Sequence, residues 1–291
     1  IMDRFKRMIA TGPVVLSSPT GSGKSTQVPR WCAHYGRVLV IEPRRVACRA
    51  LATHVATLEH TNVGESVGYI VRDDRKASNK TTIVFATPGI VLRMLANDPK
   101  LSEFGCIIVD EFHERSMEID LIVALLKRHT PAVFVIMSAT IDGERLAAYL
   151  DGSHIVAEGR TYPVEVEYQG ALSDLPSSDR LEERVRAAVQ SAPPDGDILV
   201  FAPGKSEIQR IIRSLQGLPF RTLPLHGGLT LNQQSLVFTP ANTRRIIVST
   251  NVAETSLTVP SIGTVIDTGL VRRTRYHHGR GFLTLMPIAT D

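Results

Sequence analysis

The sequence predicts an α/β protein of two domains, each a mostly parallel sheet with helices on both faces. Three observations carry that expectation. Short β-rich runs alternate with helical patterns along the whole chain. The runs are almost continuously apolar, as strands covered on both faces must be. And 291 residues exceed one ordinary domain, whereas two domains of about 150 residues are the usual division.

In the first half, strands are expected at 14–16, 38–41, 83–86, 106–109 and 133–137, with helices between them at 25–33, 46–58, 88–95, 119–128 and 143–150. The rhythm changes around 158–169. There Val164-Glu165-Val166-Glu167-Tyr168 alternates apolar and charged residues, the pattern of a half-exposed strand. The polar segment that follows offers helix-capping residues at 177–179. A boundary near Arg160 divides the chain into domains 1–159 and 160–291. The second half resumes the rhythm with strands at 198–201, 221–225, 245–249 and 263–266 and a helix at 206–215. Its tail, 269–285, reads as a β-hairpin turning at His278-Gly279.

Composition narrows the function classes. With 43% hydrophobic and 21% charged residues the chain can bury real cores, and no apolar run approaches the ~18 residues of a membrane span. The charged start Ile1-Met2-Asp3-Arg4-Phe5-Lys6-Arg7 lacks the apolar centre of a secretion signal. Cys32, Cys48 and Cys106 lie far apart without a CxxC pair, which argues against disulfides or zinc and for a reducing, cytoplasmic setting in which each is a small buried hydrophobe. A net charge of +4 favours a polyanionic partner. At 5% aromatics, contacts to a phosphate backbone are expected rather than base stacking of the single-strand-binding kind.

The residues that carry chemistry begin where Val14-Val15-Leu16 leads to Pro19-Thr20-Gly21-Ser22-Gly23-Lys24-Ser25-Thr26 and on into a helical pattern. Strand, glycine-rich turn and helix form a cradle for a nucleoside triphosphate. Glycines let the backbone approach phosphate oxygens, and N–H groups at the helix start point at the anion. Thr20, Gly21, Ser22, Gly23, Lys24, Ser25 and Thr26 are the cradle. Lys24 reaches the β- and γ-phosphates, and Ser25 holds Mg²⁺. Ser18 stands where the pattern wants glycine, six positions before the lysine. The second half of the site is Ile107-Ile108-Val109-Asp110-Glu111-Phe112-His113. An apolar strand delivers Asp110 to the phosphate-bound metal, and Glu111 polarises an attacking water as general base. The plainer reading, an acidic helix start worth about 0.3–1 kcal/mol, leaves the phosphate cradle without its metal acid.

At this point the chain resembles the DEAH-box (DExH) RNA helicases of superfamily 2, over nearly its whole length. Thr20 to Thr26 matches motif I, Glu42-Pro43-Arg44-Arg45-Val46-Ala47 motif Ia, and Ala86-Thr87-Pro88-Gly89 motif Ib. Asp110-Glu111-Phe112-His113-Glu114-Arg115-Ser116 matches motif II with Phe112 in place of the usual alanine, a departure that points to the bacterial branch. Ser138-Ala139-Thr140 is motif III, Leu199-Val200-Phe201-Ala202-Pro203-Gly204 is like motif IV, and Ser249 to Thr258 is motif V.

The resemblance implies two RecA-like domains and an ATP-dependent RNA helicase that uses ATP, or other nucleoside triphosphates, with Mg²⁺. Lys24 and Ser25 would bind phosphate and metal, Asp110 the metal, and Glu111 the water. His113, Ser138, Thr140 and Glu254 would couple the nucleotide site to the neighbouring domain. Phe238 stands where the family stacks on the base, and His54 where it commonly has the partner arginine. Arg44, Arg45, Arg72, Thr87, Thr250 and Asn251 are the implied contacts to single-stranded RNA, with DNA not excluded, because sequence-independent travel needs phosphate and sugar contacts. Arg44-Arg45 at a helix start also hints at an anion, since the dipole disfavours cations there. Arg272-Arg273-Thr274-Arg275 is either a solvated hairpin or a strand-separating wedge, and His226 is either part of the family's pattern or a structural turn residue. Pro260 replaces an acid that many relatives carry. The expected molecule is monomeric and free of membrane.

No glutamine- and arginine-rich motif VI follows Pro287 before Asp291. The expectation is therefore a core fragment of a longer helicase, impaired in hydrolysis. Two other readings stay open: a nucleotide-dependent RNA clamp or adaptor without unwinding activity, and a viral superfamily 2 helicase.

Overall fold

In the computed structural model, which describes residues 1–19, 21–139, 142–158, 163–169, 176–239, 241–251, 259–277 and 282–289, the chain divides into two units, Ile1–Tyr162 and Pro163–Asp291. The first unit runs α1 (Met2–Ile9), β1 (Val14–Ser17), α2 (Lys24–Cys32), β2 (Val38–Ile41), α3 (Arg45–Leu58), β3 (Val67–Val71), β4 (Asp74–Lys76), β5 (Ile83–Ala86) and α4 (Pro88–Asn97). It continues through β6 (Cys106–Val109), α5 (Met117–His129), β7 (Val133–Ser138), α6 (Gly143–Leu150) and β8 (Ser153–Val156). Eight strands form one sheet in the order β4-β3-β5-β2-β6-β7-β1-β8. Its pairings are parallel except for β4, which pairs antiparallel with β3.

Strand side chains alternate between two apolar layers. Val14, Leu16, Val38, Val40, Cys106, Ile108, Val135 and Met137 face one core with Phe5, Val28, Ala52 and Val55 from α1, α2 and α3. Val15, Leu39, Ile41, Ile107, Val109 and Ile136 face the other with Val91, Ile122, Leu126 and Leu150 from α4, α5 and α6. Helix ends follow local chemistry: the Ser116 hydroxyl accepts the Ile119 N–H at 3.2 Å to start α5, and the Asp142 carboxylate accepts that of Arg145 at 3.1 Å to start α6. All three cysteines are buried and free.

The second unit contains α7 (Leu181–Ser191), β9 (Asp197–Phe201), α8 (Lys205–Ser214), β10 (Arg221–Leu225), α9 (Leu231–Ser235), β11 (Arg245–Ser249), β12 (Ile262–Asp267), β13 (Leu270–His277) and β14 (Phe282–Ala289). A parallel sheet has the order β10-β11-β9-β12. Ile198 and Val200 pack beneath α7 and α8, and Leu199 packs with Val237 and Val259 on the other face. β13 and β14 form the expected antiparallel hairpin, whose turn at His278-Gly279 lies outside the described residues.

Two local expectations are corrected. Residues 163–169 form no strand, and Val164, Val166 and Tyr168 are 81%, 66% and 79% exposed. Alternation specifies a strand only where one face is buried against a neighbour, and here both faces meet solvent. Nor do residues 177–179 cap α7. Its N-cap is Arg180 in the left-handed region (φ 50°), while the Ser177 hydroxyl accepts the Asp179 N–H at 2.9 Å in a local turn. Among the described residues no helix is long and apolar enough to cross a membrane.

Candidate functional site

The carboxyl edge of the eight-stranded sheet collects the chemistry, as open parallel sheets do. β1, β7 and β6 lie side by side there. The phosphate loop follows β1, Ser138 ends β7, and Asp110 and Glu111 follow β6. Gly21 and Gly23 bend the loop with φ of 75° and 81°, left-handed values that side-chain-bearing residues rarely adopt. Gly23 is also the N-cap of α2, so the helix opens with Lys24 and Ser25. Ser18, 3% exposed, donates its N–H to the Ser138 carbonyl at 3.0 Å, and its hydroxyl lies 2.9 Å from that of Ser22. The backbone N–H ties the loop to β7 as glycine's would, and the serine hydroxyl adds a tie within the loop. Thr20 lies outside the described residues.

Lys24 and Glu111 are both buried, with Lys24 Nζ 3.5 Å from Glu111 Oε1. The other carboxylate oxygen, Oε2, is 3.3 Å from His113 Nδ1. That same nitrogen is 3.5 Å from the Ala139 N–H. Nδ1 accepts the Ala139 N–H and faces Glu111 Oε2, which has no hydrogen-bond partner of its own among the described residues. His113 therefore stands between the acid of one motif and the backbone of the next. Glu111 itself is held at φ 50° and ψ 39°, a costly conformation that functional sites often retain.

Asp110 is fully buried. Its Oδ1 accepts the Glu111 N–H at 2.8 Å, and its Oδ2 has no hydrogen-bond partner. Burial pushes the carboxyl up to about 6, the Glu111 charge adds to this, and the Ser25 hydroxyl and Lys24 ammonium oppose it. An unpartnered buried carboxylate oxygen beside a serine hydroxyl fits a hard cation, which takes oxygen ligands. Phe112 fills the core under α4 and α5, with the Arg115 guanidinium 4.9 Å from its ring centre.

A second cluster occupies the adjoining strands β3, β5 and β2 of the same edge. Arg44 and Arg45 follow β2, Arg72 follows β3, and Thr87 follows β5 as the N-cap of α4. Arg45 donates to the Arg72 carbonyl, so the structure brings these two together. Arg44 is gripped by Glu114, Nε to Oε2 at 3.2 Å and Nη2 to Oε1 at 3.0 Å. Glu114, within the Asp110-to-Ser116 motif, is a functional residue that the motif's spacing does not mark, because its partner Arg44 lies on a distant segment.

Other expected residues are placed singly. Ser138 is buried with its hydroxyl unpartnered, and His54 is exposed on α3. In the second unit, Phe238 is half-buried against the Leu199–Val237 cluster, Thr250 donates its N–H to the Leu225 carbonyl at 3.1 Å, and Asn251 is exposed. His226 sits in a turn, its Nδ1 accepting the Gly228 N–H at 3.1 Å. Arg272 pairs with Glu207 at 3.1 Å. Thr140 and Glu254 lie outside the described residues.

Comparison with known proteins gives a consistent picture. The DEAD/DEAH box helicase family model matches residues 4–148, and the helicase conserved C-terminal domain matches residues 180–281. The chain is 39% identical over 280 residues to an ATP-dependent RNA helicase HrpA homolog of Haemophilus influenzae, covering 91% of this chain and 21% of that protein. It is 37% identical over 290 residues to ATP-dependent RNA helicase HrpB of Escherichia coli, covering 94% and 35%. It is 35% identical over 300 residues to human ATP-dependent RNA helicase DHX33, covering 93% and 42%. A crystal structure of the Escherichia coli DEAH/RHA helicase HrpB superposes with a TM-score of 0.85 at 33% identity, over 99% of this chain and 39% of that one. The chain thus spans between 21% and 42% of the length of these curated relatives.

Proposed function

We propose, from the premise that this chain belongs to the DEAD/DEAH-box helicases, that it binds and hydrolyses ATP and moves on single-stranded RNA. The observation that carries the reading is the Lys24–Glu111–His113 cluster beside the buried, half-satisfied Asp110. Ser25 and Asp110 would hold Mg²⁺, which when bound neutralises phosphate charge. Lys24 exchanges its buried partner, Glu111, for phosphate oxygens. Glu111, released from the ammonium but still facing His113, orients a water and takes its proton. Loop N–H groups behind Gly21 and Gly23 receive the anion without reorganising in solution.

The supporting case for RNA is the basic cluster at the same sheet edge. Arg45 and Arg72 are exposed and sit beyond strands that adjoin the phosphate-binding ones, suited to a backbone without regard to base. Phe238 offers a ring for base stacking, which reads no donor or acceptor code.

Two variants test the hydrolytic site. Lys24→Ala removes a charge-assisted phosphate contact, and ATP affinity should fall about tenfold to a hundredfold. Glu111→Gln should retain ATP binding and lower the single-turnover rate by about 10²- to 10⁴-fold. Normal hydrolysis by Glu111→Gln in saturating RNA would refute the assignment. ATP and RNA binding without any strand displacement or turnover would point to a clamp instead.

A further inference from the structure

Arg245 opens β11 with only 2% of its surface exposed. Its Nε and Nη2 donate to Asp197 Oδ2 at 2.8 and 2.6 Å, and its backbone N–H donates to Asp197 Oδ1 at 2.7 Å. Nη1 turns the other way and donates to the carbonyls of Thr239, Val237 and Leu236 at 2.8, 3.3 and 3.4 Å. Those carbonyls bracket Phe238 on both sides. The segment follows α9, whose Gln234 and Ser235 carbonyls accept the N–H groups of Val237 and Phe238 at 3.3 and 3.1 Å, and one buried cation collects the carbonyls beyond the helix. The start of the segment is fixed equally firmly: Thr230 and Gln233 form a reciprocal capping box, and buried Gln234 donates to the His226 and Leu229 carbonyls at 3.0 and 3.1 Å.

A buried ion pair is weak evidence for stability by itself, and Asp197 needs only part of the guanidinium fork. What the pair does not explain is Nη1, which spends its hydrogens on the backbone either side of one half-buried aromatic ring. We propose that Arg245 is a positioning residue for Phe238, fixing the backbone that sets the ring's place and tilt for contact with a nucleotide base. The inference rests on the reading of Phe238 as the base-stacking residue. Lysine cannot substitute, because one compact ammonium must choose between Asp197 and the three carbonyls, whereas the planar fork serves both at once. The consequence is selective: ligands with a base feel the loss of Arg245, and bare phosphates do not.

Isothermal titration of this chain with ADP and with inorganic tripolyphosphate, both with Mg²⁺, tests the inference in wild type, Phe238→Ala, Arg245→Lys and the double variant. Loss of base stacking weakens binding about five- to hundredfold, so each single variant should weaken ADP within that range. The double variant should be no weaker than Phe238→Ala alone, and tripolyphosphate affinity should stay unchanged throughout. If Phe238→Ala leaves ADP affinity intact, the stacking reading falls and the inference with it. If Phe238→Ala weakens ADP while Arg245→Lys does not, or the two losses add, stacking stands and the positioning role is refuted. Equal losses for ADP and tripolyphosphate in Arg245→Lys also refute it, as general damage. Should Arg245→Lys fail to fold by circular dichroism, Asp197→Asn, which keeps the guanidinium but loosens its anchor, takes its place with the same supporting and refuting results.

Discussion

Replacing Asp110 by asparagine should make the protein more stable while disabling it, and the pH dependence of that gain gives the test. The carboxyl is raised from 3.8 to about 6, first by burial and then by Glu111. A pKa raised on folding means that the folded chain holds the proton more tightly than the unfolded one. The group therefore favours folding below pH 3.8, and that contribution disappears as pH rises through about 6. Above that pH the buried carboxylate costs roughly 3 kcal/mol. Asparagine keeps an acceptor for the Glu111 N–H and carries no charge. At pH 8, without Mg²⁺ or nucleotide, Asp110→Asn should therefore stabilise the first unit by up to about 3 kcal/mol, a rise on the order of 5–10 °C in melting temperature. At about pH 4 and below the gain should vanish. Thermal melts followed by circular dichroism across that range measure it directly, and titration at pH 8 should show Mg²⁺-dependent ATP binding lost in the same variant. A midpoint at pH 8 equal to or below wild type, or a gain independent of pH, would show that Lys24 and Ser25 already compensate the carboxylate and refute the reasoning.

Two further perturbations probe the scaffold. In Gly105→Ala the new Cβ would collide with the Tyr35 carbonyl, a backbone atom that cannot swing aside, so β6 must shift. Loss of at least about 1–3 kcal/mol is expected, read as a lower urea midpoint, and an unchanged midpoint would contradict the close approach. Ser116→Ala removes the cap of α5 and should cost about 1 kcal/mol, with faster amide exchange confined to 117–119; exchange that stays the same would place the helix start elsewhere.

The sequence by itself determined the parallel αβ rhythm, the hairpin tail and the chemistry at the sheet edge. Apolar runs such as Cys106–Val109, short and bounded by turn residues, read as strands covered on both faces, and Lys24, Asp110 and Glu111 each follow one. What it hid were elements whose stability is not their own. β4, Asp74–Lys76, is wholly charged and exists because β3 supplies its ladder. β8 begins with Ser153-His154 and is held by pairing with β1. Conversely, Val164 to Tyr168 has the alternation of a strand but pairs with none among the described residues. The same limit applied to polar groups. Ser18 departs from the phosphate-loop pattern in sequence, and only the folded loop places its hydroxyl 2.9 Å from that of Ser22. Arg245 and Asp197 lie 48 residues apart, and Glu114 and Arg44 are 70 apart. Local pattern reports which residue types and faces a segment offers, because periodicity and turn chemistry act within a few residues. Partners brought together by burial are chosen by the packed sheet, where the cost of leaving a charge or hydroxyl unpaired is high, and that choice belongs to the tertiary structure.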